Sequence, residues 1–298
     1  MSGLFAGLTG LDVIYYQDSY PEENKKSKTL NFLTDVGGPA ANAAVTYSLL
    51  GGEAVLATCI GSDSTGRMIR DLLENRYGVR VLDFAEEGES ACISSIIVNT
   101  ATGSRTIFSG QHSYRCGKLL SREEICEAEF CFFDTNLPEL CLRAVRDAHE
   151  LGKQVILDCG SWKPHTAEFL KNADTAIASA DCHPGSGEDF LTASRRYGVS
   201  DAAVTGGEAE IIWQKTGTDE SGSIQPPRVR AVDTLGAGDV FHGAFCYYQK
   251  TGGSFAEALR AASETAAQSV LFRGAREGVL AAARDRAPHT EMTDRKTD

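Results

Sequence analysis

The sequence predicts an α/β protein with a mostly parallel central sheet, helices on both of its faces, and a small added β-strand lid. Three observations lead there. Short β-rich runs alternate with helical stretches through most of the 298 residues, the rhythm of βαβ units. Several of those runs are continuously apolar, as strands buried on both faces are. Two segments break the rhythm, with strands and no helix between them.

In chain order, residues 4–8 are apolar and glycine-flanked, like a buried strand. Residues 39–50 have small side chains in a helical pattern, closed by Gly51-Gly52 as a C-cap closes a helix. Residues 54–60 read as a strand, and 64–75 as a helix with Met68, Leu72 and Leu73 on one face. Strand at 130–134, helix at 138–151, strands at 154–158 and 175–179, helix at 186–197 and strand at 202–205 continue the alternation. The first exception spans 13–33, where Ile14-Tyr15-Tyr16 precedes a charged stretch and then 29–33. The second is a pair of β-rich runs, 91–98 and 105–109, joined by a turn containing Gly103. These four runs suit a small antiparallel subdomain inserted twice. The expected division is therefore a core of 1–12, 36–87 and 113–286, a β lid of 13–35 and 88–112, and a disordered tail from 287 to 298.

Composition excludes several classes of function. Hydrophobic residues make up 42% and charged residues 23%, ordinary globular values that exclude wholesale disorder. An acidic excess of 41 over 29 leaves a net charge of −12 and argues against a nucleic-acid footprint. No apolar run is long enough to span a bilayer, so no membrane partner is expected. Residues 1–10 lack the pattern of a secretory signal, and nine cysteines occur without a C-x-x-C pair. Reduced thiols and a cytoplasmic location are the expectation. Cys182-His183 beside Asp181 has no second ligand pair at zinc spacing and reads as a loop with a small apolar thiol, and the metal reading is set aside for Cys126 and Cys131 as well. Thirty glycines against eight prolines point to tight turns or close backbone approaches to a ligand.

The sharpest motif is Asp233-Thr234-Leu235-Gly236-Ala237-Gly238-Asp239 ahead of an apolar helical stretch at 240–248. Small residues before a helix let backbone amides converge, and the helix N-terminus adds a positive end, a cradle for phosphate. Neither G-x-x-x-x-G-K-[ST] nor a strand followed by G-x-G-x-x-G is present, so P-loop and dinucleotide readings fail. A plain helix start capped by Asp239 explains the aspartate but not G-A-G beside it. At such a site Asp239 can accept the proton of an attacking hydroxyl, and the helix dipole favours its ionised form. Gly37-Gly38-Pro39-Ala40-Ala41-Asn42 opens the small-residue helix. Its glycines permit close ligand approach, and Asn42 offers sugar hydroxyls two donors and an acceptor. Taken alone, the segment also reads as tight helix packing. Asp12, following the first strand, can face the same crevice, or be a turn residue.

D-T-L-G-A-G-D and G-G-x-A-x-N, in that arrangement, make the chain resemble the PfkB/ribokinase family of carbohydrate kinases from about residue 4 to 280. Gly10-Leu11-Asp12-Val13-Ile14, Gly103-Ser104-Arg105-Thr106-Ile107 and Pro226-Pro227-Arg228 are most similar to the ketohexokinase branch. Asp239-Val240-Phe241-His242-Gly243-Ala244 is more similar to sulfofructose kinases. The resemblance implies a ribokinase-like three-layer α/β/α core and ATP- and Mg²⁺-dependent phosphoryl transfer to a sugar hydroxyl. It also implies a lid able to serve as a homodimer interface. By position, Asp239 is similar to the catalytic base and Gly236, Ala237 and Gly238 to the anion hole. Asp12, Gly38 and Asn42 match sugar-contacting positions, and Arg105 an arginine that approaches the terminal phosphates. Thr205 and Gly207 resemble the nucleotide-side T-x-G turn, which Thr234 is expected to join in holding ATP.

There are departures. The N-x-x-E segment tied to magnesium appears as Ser179-Ala180-Asp181-Cys182, which leaves the metal ligands unassigned. Glu210 ends the T-x-G-x-x-G turn, Pro39 replaces a sugar-holding asparagine, and Asn136 replaces a sulfonate-binding arginine. Gly278 stands in place of a serine that helps bind a monovalent cation in ribokinases, leaving potassium dependence open. His242, one turn after Asp239, reads as a helix-surface or substrate-wall residue rather than a catalytic one. His112, Tyr114 and Arg115 are candidate contacts to a substrate anion, against a default of solvated charge. Lys25, Lys26 and Lys28 read as a solvated edge. The expected function is an ATP-dependent sugar kinase acting on the 1-hydroxyl of a ketose. The alternatives are another sugar or sulfo-sugar, a nucleoside, or a non-catalytic sugar sensor.

Overall fold

A computed structural model describes residues 2–110, 114–185 and 187–286, without the side chains of Ala275, Asp285 and Arg286. The first half of the chain contributes β1 (Ser2–Ala6), β2 (Gly10–Gln17), β3 (Asn31–Gly37), α1 (Pro39–Leu49), β4 (Glu53–Thr58) and α2 (Ser64–Asp71). A π-helical turn (Leu72–Arg76), β5 (Arg80–Asp83), β6 (Cys92–Asn99), β7 (Arg105–Ser109), α3 (Arg122–Cys126) and β8 (Phe130–Asp134) follow. Then come α4 (Pro138–Glu150), β9 (Gln154–Cys159), α5 (Thr166–Leu170), β10 (Thr175–Ser179), α6 (Phe190–Tyr197) and β11 (Asp201–Gly206). The chain closes with β12 (Ala209–Lys215), β13 (Ser221–Ile224), α7 (Ala237–Lys250), α8 (Phe255–Ser269) and α9 (Ala275–Arg286).

Nine strands form one sheet in the order β13-β12-β11-β10-β9-β8-β1-β4-β5. Every pairing from β11 to β5 is parallel, and only β12 and β13 add antiparallel edges. The reason lies in the uninterrupted apolar strands. Phe130–Asp134 reads FCFFD and is buried throughout. Alternate side chains must therefore find apolar cover on both faces. Phe5 and Phe132 pack with residues of α1, α7 and α8, whereas Leu4, Ala6, Cys131 and Phe133 pack with residues of α4, α5 and α6. Two helical layers around one sheet result.

The four remaining strands form a separate sheet, β3-β2-β6-β7. Asp12 on β2 is paired in register with Asp35 on β3 and Ser94 on β6. One face of this sheet buries Ile14, Tyr16, Ile96 and Val98, with Leu235 of the core packed against them. The small sheet is thereby held next to the turn that opens α7.

Three expectations need correction. Asp12 lies within a strand of the small sheet, because β2 already begins at Gly10, and not in a loop after β1. The α2 helix gives way to a π-helical turn after Asp71, and the inward face of the segment carries Ile69 and Leu73, both buried, while Met68 is exposed. The helix expected at 186–197 begins at Phe190, where the Asp189 carboxylate accepts from the Thr192 amide and caps it. Ser186, His112 and the tail from 287 lie outside the described residues.

Candidate active site

The turn before α7 is built from its own sequence. Gly236, the N-cap, has φ 72, a left-handed conformation that a side chain would strain. Asp233, buried, accepts from the Leu235 amide at 2.9 Å, the Gly274 amide at 3.1 Å and the Tyr16 hydroxyl at 2.9 Å. That carboxylate ties the turn to α9 and to the small sheet at once. The bond from Val240 N–H to Gly236 O, at 2.9 Å, is the first to a helical i−4 carbonyl. The amides of Gly238 and Asp239 precede it and belong to the set a helix N-terminus leaves for a ligand. A Cβ on Gly238 would meet open space, so this side of the turn is accessible.

Asp239 is partly buried beside Asn42, which donates from Nδ2 to Asp239 Oδ2 at 2.6 Å. The two meet because α1 and α7 pack very closely. A Cβ on Gly243 would lie 2.3 Å from the Ala43 carbonyl oxygen, so only glycine permits that approach. Burial pushes the Asp239 carboxyl up to about 6, and the negative charge of Asp158 adds to the rise. The Asn42 hydrogen bond, His242 and Arg276 act in the opposite direction. The helix terminus favours the ionised form, and loss of solvent acts against it and holds the carboxyl above its ordinary value. His242 is not on the helix surface. It is buried, with Nδ1 at 2.8 Å from Gly238 O and Nε2 at 3.7 Å from Asp158 Oδ1.

A cavity of 690 Å³ opens between the core and the small sheet, a volume suited to a small ligand. Asp12, Gly38, Ser94, Ser109, Tyr114 and Asn136 are among its lining residues. Burial is the main cause that raises the Asp12 carboxyl to about 6, with Arg276 and Ser94 opposing. Gly37 is packed against Asp12: an added Cβ would lie 2.3 Å from its carboxylate oxygens. Gly38, at φ 98, runs against the Leu8 carbonyl, where a Cβ would lie at 2.3 Å. Pro39 is the first residue of α1 and puts no side-chain amide there.

Arg105, on β7, donates to Thr234 Oγ1 at 2.7 Å and so joins the small sheet to the phosphate-type turn. Thr205 lies near the end of β11 and Gly207 in the turn from β11 to β12, separated from β8 by β9 and β10. Asn42 is less free than a sugar-contacting residue was expected to be. Its Nδ2 is taken by Asp239, and its Oδ1 accepts from Arg276. Arg115 forms ion pairs with Glu89 at 3.0 Å and Glu86 at 3.4 Å, which engages it away from an anionic substrate. Lys25, Lys26 and Lys28 are exposed, as a solvated edge should be.

The pfkB family carbohydrate kinase model matches residues 4–282. The chain belongs to this family. Mouse ketohexokinase is 26% identical over 91% of this chain and 96% of its own length. Deoxyribokinase of Salmonella typhi is 27% identical over 90% and 92% respectively. Ribokinase of Arabidopsis thaliana, solved with ribose and ATP, shares the fold at a TM-score of 0.72, with 21% identity over 95% of this chain and 98% of that one. The chain is thus a sugar kinase, a phosphotransferase enzyme.

Kinases of this family use ATP and Mg²⁺. The donor set of the turn before α7 fits the anionic end of a nucleotide, since it presents amides and a helix N-terminus. For the metal, the kinase has no group of three or more His, Cys, Asp or Glu placed to hold an ion among the described residues. In the Ser179-Ala180-Asp181-Cys182 segment, Asp181 is exposed and Cys182 is buried. Mg²⁺ commonly keeps several waters and is held by substrate phosphates with one or two carboxylates, so a protein cage is not required. All nine cysteines are free thiols. No helix among the described residues is long and apolar enough to cross a membrane.

Sequence reasoning missed several members of the site. Asp134 ends β8 and is fully buried, yet accepts from the amides of Leu8, Ala40 and Asn136 at 2.9, 3.1 and 2.8 Å. An acid terminating an apolar run was a usable signal for it. Arg276, Asp35 and Tyr77 carried no such signal, because they meet only through the fold.

Proposed function

We propose that this kinase transfers the γ-phosphoryl group of ATP to the 1-hydroxyl of a neutral ketose bound in the cavity between core and lid. The observation that carries this reading is the lining of that cavity. Asp12 and neutral polar groups from Ser94, Ser109 and Asn136 border it, and no lysine, arginine or histidine does so among the described lining residues. A carboxylate flanked by neutral hydrogen-bonding groups suits a polyol and disfavours a sulfonate or phosphate on the sugar.

In this reading the small sheet is the lid. Asp12 accepts from sugar hydroxyls, Gly38 gives the ligand close approach, and Asn42 stands at the junction of sugar and base. Asp239, whose Oδ2 is held by Asn42, takes the proton of the attacking hydroxyl as the phosphoryl group arrives. ATP supplies that group, with Mg²⁺ offsetting charge on its oxygens. Gly236, Ala237 and Gly238 form the proposed anion hole for the developing charge, with the Ala237 amide exchanging its long 3.4 Å bond to Thr234 O for the ligand, and Arg105 adds a cation from the lid. Thr205, Gly207 and Thr234 border the nucleotide. Seating the lid over the cavity keeps out water, which would otherwise compete as acceptor.

The lid's outer face exposes Tyr15, Phe32 and Phe108 at 37, 62 and 63%. Tyr15 is paired with Phe32, and Phe108 with Ser95, so all three project from the same side of the sheet. A second copy of the chain is the proposed cover for this apolar face. Light scattering on the wild type and on Phe108→Glu tests it: a dimer that becomes a monomer is expected, and a wild-type monomer at tens of micromolar refutes it.

ATP consumption across ketoses, aldoses, acidic sugars and nucleosides, with the phosphate located by NMR, tests the substrate reading. A 1-phosphorylated ketose is expected, with Asp239→Asn losing 10²-fold or more of kcat, on the order of a general-base contribution. Near-normal turnover by Asp239→Asn refutes the assignment of the base. Sugar binding without ATP consumption would favour a sensor.

A further inference from the structure

Arg276 lies 240 positions from Val36 and has no place in the motifs that identify the family. It stands in the first turn of α9, nine-tenths buried. Its Nη2 donates to the Val36 carbonyl at 2.9 Å and to Asn42 Oδ1. Its Nε lies 3.5 Å from Asp35 Oδ2 on the lid strand β3. Tyr77 closes the cluster, donating its hydroxyl to Asp35 at 2.8 Å while its ring lies 5.5 Å from the Arg276 guanidinium carbon. A buried cation is thus pinned by three elements and directed at one side-chain amide.

That amide has two orientations, and Arg276 selects between them. A guanidinium has donors only. Facing Arg276, Asn42 must present Oδ1, which turns its Nδ2–H₂ toward Asp239 Oδ2. Flipping the amide would set donor against donor at Arg276 and acceptor against acceptor at Asp239. Both bonds would be lost in a partly buried site, where unpaired polar groups are costly.

We propose that Arg276 is a positioning residue for the base: by locking the Asn42 amide it keeps a hydrogen-bond donor on Asp239 Oδ2 and leaves Oδ1 to receive the proton from the sugar. The inference rests on the reading of Asp239 as that base. The lock also connects the base to the lid, because Asp35 and Val36 belong to β3. Neighbouring charges act on the same carboxyl: Asp158 from β9, His242 from α7, and Arg276 itself. Asp12 and Asp35 face the guanidinium from β2 and β3. A direct charge effect of Arg276 on Asp239 must therefore be separated from an effect through Asn42.

A double-mutant cycle makes that separation. The Asp239 carboxyl is followed by ¹³C NMR from pH 5 to 9 in the full chain, its resonance assigned by loss in Asp239→Asn. The set is wild type, Arg276→Met, Arg276→Lys, Asn42→Ala, and Asn42→Ala with Arg276→Met. Arg276→Met is expected to raise the midpoint by about one pH unit or more, and Arg276→Lys, which still donates, by much less. In the Asn42→Ala background the Arg276→Met increment should shrink to less than half. An unchanged midpoint in Arg276→Met overturns the proposal. So does an increment of equal size in both backgrounds, which would be a pure charge effect. Should Arg276→Met not fold, Asp35→Asn with Arg276→Met removes both buried charges together and enters the same cycle. The titration needs no substrate, so a failed search for the sugar leaves this test intact. When a sugar is turned over, the acid limb of kcat/KM must move with the NMR midpoint.

Discussion

Asn42→Ala removes one hydrogen bond from the group proposed to receive the substrate's proton, and its effect can be sized from the geometry. At 2.6 Å, the Nδ2–H···Oδ2 contact between Asn42 and Asp239 is short and stabilises the ionised carboxylate. Hydrogen bonds to charged groups contribute about 1.5–3 kcal/mol. One pH unit corresponds to about 1.4 kcal/mol, so losing the bond raises the Asp239 carboxyl by about one to two units. From a starting point of about 6, the acid limb of kcat/KM should move to between about 7 and 8. The assay is initial rate with ATP and a turned-over sugar between pH 5 and 9, at subsaturating sugar. At pH 6 the ionised fraction then falls from about one half to between about a tenth and a hundredth, so the variant should be slowed roughly five- to fiftyfold beyond any loss seen at pH 9. An acid limb that stays in place, or that moves to lower pH, refutes the view that Asn42 stabilises the charged base.

Other consequences follow from single contacts. Gly37→Ala would drive a methyl group to 2.3 Å from the Asp12 carboxylate oxygens, so the sugar KM should rise at least several-fold while the KM for ATP changes little; equal changes in both would refute it. Tyr16→Phe leaves a buried Asp233 oxygen without the hydroxyl that now bonds it at 2.9 Å; thermal unfolding should show a loss of about 1–3 kcal/mol, together with a lower kcat as the turn before α7 loosens. Asp12, Asp134 and Asp239 are each raised from 3.8 to about 6 by burial. Between those values the folded chain binds more protons than the unfolded one, so stability should fall as pH rises from about 4 through 6 and level off above 7; calorimetric Tm values that climb over that interval would contradict the assignment.

Much of the architecture was legible in the chain itself, for reasons particular residues make plain. FCFFD at 130–134 has no polar face, so it can be satisfied only between two apolar layers. The small residues of 39–49 left room for a second helix, and Gly243 on α7 fills that room. The motif at 233–239 announced a helix start with free amides through its glycines alone. The π-helical turn after Asp71 was not legible: the apolar spacing at Met68, Leu72 and Leu73 fits a regular helix, and the actual inward pair is Ile69 and Leu73.

Local sequence determined the βαβ order, the lid strands and the phosphate-type turn, because periodicity, glycine conformation and capping act over a few residues. The ionisation of Asp239, the proposed base, and its hydrogen-bond partner were decided only by the tertiary structure. Asp239 stands at a helix N-terminus that by itself favours the carboxylate, yet burial and Asp158 push it the other way. Asn42 reaches it from α1, and Arg276, 234 residues further along the chain, holds Asn42 while pairing with Asp35 of β3. Desolvation and charge pairing depend on what surrounds a group in space, and those surroundings exist only once the lid strand, α1, α7 and α9 have packed together.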